Sequence, residues 1–172
     1  MTAVTAPAFD RLELGSRMRS RGRTIGEADL ISFAALTGDW HPQHADAEWA
    51  AAGPFGERVA HGMLVLSYAF GLLPIDPERV AALRSVRSAV FKRPVAIGTT
   101  ITAEAEVAAL RPLDAEHGLV ELALRVRDGE GRIVARGAVE VLWRRTPDDS
   151  HQPPSANGTS ELSPLADGRV LA

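Results

Sequence analysis

Gly62-Met-Leu-Val-Leu-Ser-Tyr-Ala-Phe-Gly-Leu-Leu73 is apolar on nearly every face of a helix, and Pro74 follows it directly. A helix with no polar face has to be enclosed by other structure, and this one is too short to cross a bilayer. Beyond Pro74 the pattern changes to alternation, over residues 84–91, 100–107, 119–127 and 133–143, which is the period of strands. In the third of these, Val120, Leu122, Leu124 and Val126 share one face while Glu121, Arg125 and Arg127 share the other, as a sheet covered on one side requires. Asp128-Gly-Glu-Gly131 supplies a hairpin turn before the last strand. Sheet and helix each lack what the other provides. The expected fold class is therefore α+β, an antiparallel sheet wrapped around one central apolar helix.

Upstream, Thr24-Ile-Gly-Glu27 reads as a capping box that starts a helix. Leu30, Phe33, Ala34 and Thr37 continue it at helical spacing, Gly38 offers a left-handed end, and Pro42 forbids simple continuation. Asp39 then lies just past the helix end. Asp46 is placed to cap a shorter helix carrying Trp49 and Ala50, stopped by Gly53-Pro54, with His44 in the intervening turn. Residues 1–14 are expected to be a lead-in, 15–145 the folded domain, and 146–172 a largely disordered tail, because that tail is too polar to repay its ordering entropy. Arg17, Arg19, Arg21 and Arg23 alternate. On a strand they would form one basic stripe, facing either solvent or the phosphates of an acyl carrier.

A chain of 172 residues is enough for one domain with its own core. The net charge of -3 gives no general attraction to nucleic acid or to an anionic membrane. With no cysteine in the chain, disulfides, thiolate metal sites and cysteine nucleophiles are excluded. No secretory leader or membrane span is visible, so a cytoplasmic enzyme is the expectation.

The chemistry concentrates in Phe33-Ala-Ala-Leu-Thr-Gly-Asp39-Trp-His41-Pro-Gln-His44-Ala-Asp46, together with Phe55-Gly-Glu-Arg-Val-Ala-His61-Gly62-Met63. An imidazole that titrates near neutrality and a carboxylate on one short loop are a suitable pair for moving protons to and from a water. Gly62 opens the apolar helix. Its backbone N–H can serve a developing oxyanion, or the glycine can be there for packing alone.

These two stretches resemble the MaoC-like dehydratases and (R)-specific enoyl-thioester hydratases of the hotdog-fold superfamily. The shared pattern is Gly-Asp, four residues, His, then Phe-Gly and an Ala-His-Gly-Met at the start of the central helix. Phe91-Lys-Arg-Pro-Val95 with Gly98-Thr-Thr-Ile101 adds to it, and the likeness runs over about residues 15–143. It implies a single hotdog domain, usually a homodimer, that adds water to an enoyl thioester or removes it from a 3-hydroxyacyl thioester. The substrate would be carried on coenzyme A or acyl carrier protein, with no cofactor and no metal. Asp39 and His44 would share the water, and the Gly62 N–H would face the thioester oxygen. A hotdog thioesterase and a noncatalytic acyl-thioester-binding subunit are the competing functions.

His41 stands where this family more often carries Asn, and is read as orienting the loop or as simply exposed. His61 is read as a satisfied, partly buried histidine rather than a proton donor. Trp40 is read as a pocket wall, while Trp49 and Trp143 are expected to pack. His117 and His151 are expected to be solvated. Asp39, His41, His44 and Asp46 allow a zinc or iron site on one loop, at spacing that is permissive only.

Overall fold

A computed structural model describes residues 7–146. Residues 147–172 of the expected tail, His151 among them, lie outside that range. Residues 7–14 join the core, because Phe9 of a 3-10 turn at Phe9–Arg11 is buried and the Trp143 indole N–H donates to the Pro7 carbonyl at 3.0 Å. Helix α1 spans Glu27–Thr37, α2 Pro42–Ala45, α3 Ala47–Ala51 and α4 Gly62–Leu72. The strands are β1 Arg17–Arg19, β2 Arg23–Thr24, β3 Val80–Phe91, β4 Thr100–Pro112, β5 His117–Arg127 and β6 Ile133–Arg144.

All strand pairs are antiparallel, in the order β1-β4-β5-β6-β3, with β2 also pairing with β4. The curled sheet takes α4 against its inner face, and the fold is the expected hotdog. Leu64, Val65, Leu66 and Ala69 of α4 are buried among Ala103, Ala105 and Val107 of β4 and Leu122, Leu124 and Val126 of β5. The period-2 alternation decides this arrangement, since shifting β5 by one residue would put Glu121, Arg125 and Arg127 inside.

The helix is not enclosed on every face. Met63 is 51% exposed, and Ser67 and Gly71 follow it at four-residue spacing on the same open side. Edge strand β3 is open too, with Leu83, Val86 and Phe91 each near half exposed. Among the described residues no helix is long and apolar enough to cross a membrane.

Local signals succeed and fail for identifiable reasons. Gly38 ends α1 at φ 78°, its N–H donating to the Ala34 carbonyl, and the Asp46 carboxylate accepts from the Trp49 N–H at 3.0 Å to cap α3. The capping box at Thr24 is displaced. Thr24 belongs to β2 and its hydroxyl meets that of Thr100 at 2.7 Å, so α1 starts two residues later, with the Gly26 N–H donating to Asp29 Oδ2 at 2.8 Å. Glu27 is released to pair with Arg58. The arginine stripe is likewise broken. Arg17 and Arg19 meet Glu106 and Glu104 across β1 and β4, Arg21 lies between strands, and Arg23 turns to Asp29. Trp143 is buried as expected, but Trp49 is 45% exposed because α3 lies outside the sheet and buries only Ala50.

Candidate active site

Asp39 leaves the end of α1 through the left-handed Gly38, and its side chain is exposed. Its Oδ1 accepts weakly from the His41 N–H at 3.3 Å. His41 then caps α2, with Nδ1 accepting from the Gln43 N–H at 3.2 Å and Pro42 setting the first turn. His44 lies within this short helix rather than in a free turn, and faces inward at 8% exposure. Its Nδ1–H donates to the Val59 carbonyl at 2.6 Å. That bond fixes the tautomer. Nε2 is left with the lone pair, as a general base requires.

Burial is the strongest influence on the His44 imidazole and pushes its pKa below the ordinary 6.5. The Val59 carbonyl and the Asp39 charge oppose this, while the neighbouring His61 and His41 add to the lowering. At neutral pH the ring is therefore in its basic form.

His61 is only 2% exposed, more deeply buried than expected, and only one of its ring nitrogens finds a partner among the described residues. Its Nε2–H donates to the Asp39 carbonyl at 3.0 Å. Its ring lies against that of His44, with centroids 3.8 Å apart and planes 26° from parallel. A carboxylate oxygen of Asp39 and one ring nitrogen from each of His44 and His61 fall within 4.8 Å of one another.

A metal reading does not fit these groups. Imidazole lone pairs lie in the ring plane, so two nearly parallel stacked rings cannot both aim at one ion at bonding distance. His41 and Asp46, the other members of the sequence-based metal set, are occupied as helix caps.

Gly62 begins α4 immediately after His61, and as a first-turn residue its N–H has no intrahelical partner. A Cβ at this position would lie 2.8 Å from the Phe91 ring, so packing also demands glycine here. A cavity of about 320 Å³ opens between these elements, lined by His44, Gly62, Val59, Val65, Phe91 and Val95 among others. Trp40 does not line it and stands 51% exposed. The Val59 carbonyl and the Phe91 ring were not assigned from sequence. A backbone acceptor leaves no sequence signal, whereas Phe91 stood within the recognised Phe91-to-Val95 motif. His117 is half-buried at the start of β5, with Nδ1 3.3 Å from Asp114.

Residues 12–128 match the family model described as the MaoC-like domain. The chain is 35% identical to the (R)-specific enoyl-CoA hydratase of Aeromonas caviae, over 76% of this chain and 94% of that one. It is 31% identical to the 3-hydroxyacyl-thioester dehydratase Z of Mycobacterium tuberculosis, over 54% of this chain and 69% of that one. A solved Mycobacterium tuberculosis protein described as having a double hotdog fold aligns with a TM-score of 0.73 at 26% identity, covering 94% of this chain and 53% of that one. With the family model matching over most of the described domain and the hydratase relative covered almost throughout, the chain belongs to the MaoC-like hydratase and dehydratase family of hotdog proteins.

Proposed function

We propose that the protein reversibly hydrates an enoyl thioester, with Asp39 and His44 sharing the water. The observation that carries this reading is the Val59-fixed tautomer of His44, whose free Nε2 belongs to a ring grouped with the Asp39 carboxylate beside an apolar cavity. In the forward direction the water oxygen bonds to the β carbon while one of the pair takes its proton. The double-bond electrons move to the thioester oxygen, and the resulting enolate collapses as a proton is returned to the α carbon. The Gly62 N–H is the proposed donor to the enolate oxygen, in the position where such a donor contributes most. Dehydration of the 3-hydroxyacyl thioester is the same path reversed.

The substrate is proposed to be carried on coenzyme A or acyl carrier protein. The working form is proposed to be a homodimer, in which a second copy covers the open apolar side of β3 and the Met63 face of α4. Light scattering is expected to give twice the mass of the chain, and a monomer that turns over substrate contradicts the dimer.

Product analysis on an enoyl-CoA tests the reaction. Loss of enoyl absorbance with formation of 3-hydroxyacyl-CoA and no free thiol is expected. Thiol release would show a thioesterase, and binding without turnover a noncatalytic subunit.

A further inference from the structure

We infer that His61 is a positioning residue, whose Nε2–H holds the Asp39 peptide in place while its ring backs the imidazole of His44. The inference rests on the hydratase reading above and extends it to a residue that does not itself reach the reacting atoms.

Asp39 projects from an exposed loop, and among the described residues its carboxylate receives only the long bond from the His41 N–H. One residue beyond a left-handed glycine, the loop is otherwise fixed by local bonds, from the Asp39 N–H to Thr37 Oγ1 at 3.3 Å and from the Trp40 N–H to the Gly38 carbonyl at 3.1 Å. The 3.0 Å bond from His61 to the Asp39 carbonyl ties it to the buried start of α4. This is a constraint across 22 residues of sequence.

The same ring lies flat against His44, whose other constraint is the bond to Val59. Phe33 of α1 packs on His61 with ring centroids 5.0 Å apart, so the ring is held from the helix that delivers Asp39 as well. His61 thus touches the Asp39 backbone and the His44 ring together, and the next residue is the oxyanion candidate Gly62. Its Nδ1 is buried without a partner, a cost of burial that a residue present only to fill space would not carry. Leucine or phenylalanine would fill the same volume with no orphaned atom. The polar contact to Asp39 offsets that cost, and it acts on the loop geometry to which proton transfer is most sensitive.

Two variants separate the hydrogen bond from the ring. His61→Gln places an amide N–H at the reach of Nε2 but has no ring, and His61→Phe keeps a ring without the donor. For His61→Phe, kcat is expected to fall roughly tenfold or more with KM within about twofold, while His61→Gln stays within about threefold of wild type. Nuclear magnetic resonance of the Asp39 amide and the His44 ring gives a readout independent of turnover. The Asp39 amide signal is expected to move in His61→Phe and to stay near its wild-type position in His61→Gln, while the His44 ring signals, which report the stacked neighbour, are expected to move in His61→Gln. Should wild type hydrate no enoyl thioester, the functional reading fails, and the resonance comparison still decides whether His61 holds the loop. Equal losses in both variants, or His61→Phe with unchanged kcat and an unmoved Asp39 signal, overturn the inference. If His61→Phe does not fold, a tenfold loss in His61→Gln overturns it alone.

Discussion

Two polar clusters flank the first helix, and they are satisfied to different degrees. At its start, the Asp29 carboxylate accepts from Arg23 Nη2 at 2.6 Å and the Tyr68 hydroxyl at 2.5 Å through Oδ1, and from the Gly26 N–H through Oδ2. The Arg23 guanidinium also lies over the Tyr68 ring at 4.3 Å. Past its end, Asp39, His44 and His61 are held by backbone contacts, and their reactive atoms are left open. In the first cluster both Asp29 carboxylate oxygens and the Tyr68 hydroxyl are engaged, with only the Arg23 Nε–H lacking a partner among the described residues, and the cluster ties β2, α1 and α4 together. The second keeps unused proton-binding capacity beside a cavity. Both contain a carboxylate close to ring-bearing side chains, so residue type alone does not distinguish a lock from a site. What distinguishes them is how many lone pairs remain.

The largest effect expected from this difference is on rate. His44→Ala is expected to lower turnover by about 10²–10⁴-fold, the usual contribution of a general acid or base, an effect on rate far larger than any change in stability from losing the buried ring and its bond to Val59. Because two groups serving one water act as a unit, adding Asp39→Asn to that variant is expected to cost little more. Losses that multiply would assign them separate tasks.

The opposite pattern is expected at the lock. Asp29→Ala leaves Arg23 and Tyr68 without their acceptor, and removing one partner of a buried pair costs about 3–5 kcal/mol. Arg23 has a side chain 41% exposed, so screening reduces this to roughly 2 kcal/mol. Thermal unfolding should show it as a fall of about 4–8 °C for a domain of this size. Turnover per folded molecule is expected to remain near wild type. A kcat loss as large as that of His44→Ala would make the two clusters one machine.

Acid should separate them more gently. Burial raises the Asp29 carboxyl, but the bonds from Gly26, Tyr68 and Arg23 outweigh it and leave the pKa below the ordinary 3.8. A depressed carboxyl contributes stability that is complete above its ordinary value and is lost only as pH falls through the lowered one. The contribution of the lock should therefore be complete above about pH 4 and fall as pH drops from 3.8 towards the lowered value. His44 is shifted down from 6.5, so its neutral form is favoured by folding and the unfolded chain binds the proton first. Its share of stability falls as pH drops below about 6.5 towards the lowered value. In the free enzyme, kcat/KM should decline on the acid side with a midpoint below 6.5. Activity and stability measured across the same pH series are expected to fail in that order. An acid midpoint above 6.5 would remove His44 as the base.

How much of this was legible in sequence depends on how far apart the interacting residues lie. The apolar run of α4 and the alternation of β5 are periodic signals, and both elements formed as expected. Gly38 and Asp46 act within one turn of the chain, and their caps were legible too. Thr24 was misread because its hydroxyl answers to Thr100, across the sheet, instead of the adjacent helix. Arg23 left the expected stripe for Asp29 and Tyr68, the latter 45 residues away. The catalytic candidates followed the same rule: Asp39 and His44 share a loop, whereas the bonds from His44 to Val59 and from His61 to Asp39 join separate segments through backbone carbonyls. No residue type marks a carbonyl acceptor.

The most direct test of the central claim, that the open cluster is for chemistry and not for stability, is Asp39→Asn assayed for hydration and melting temperature on one preparation. Asn keeps the shape of Asp but cannot accept the proton. Turnover is expected to fall at least about 100-fold, with the melting temperature within about 2 °C of wild type. Near-normal hydration by this variant would contradict the assignment of Asp39 to the water, and with it the reading of the site.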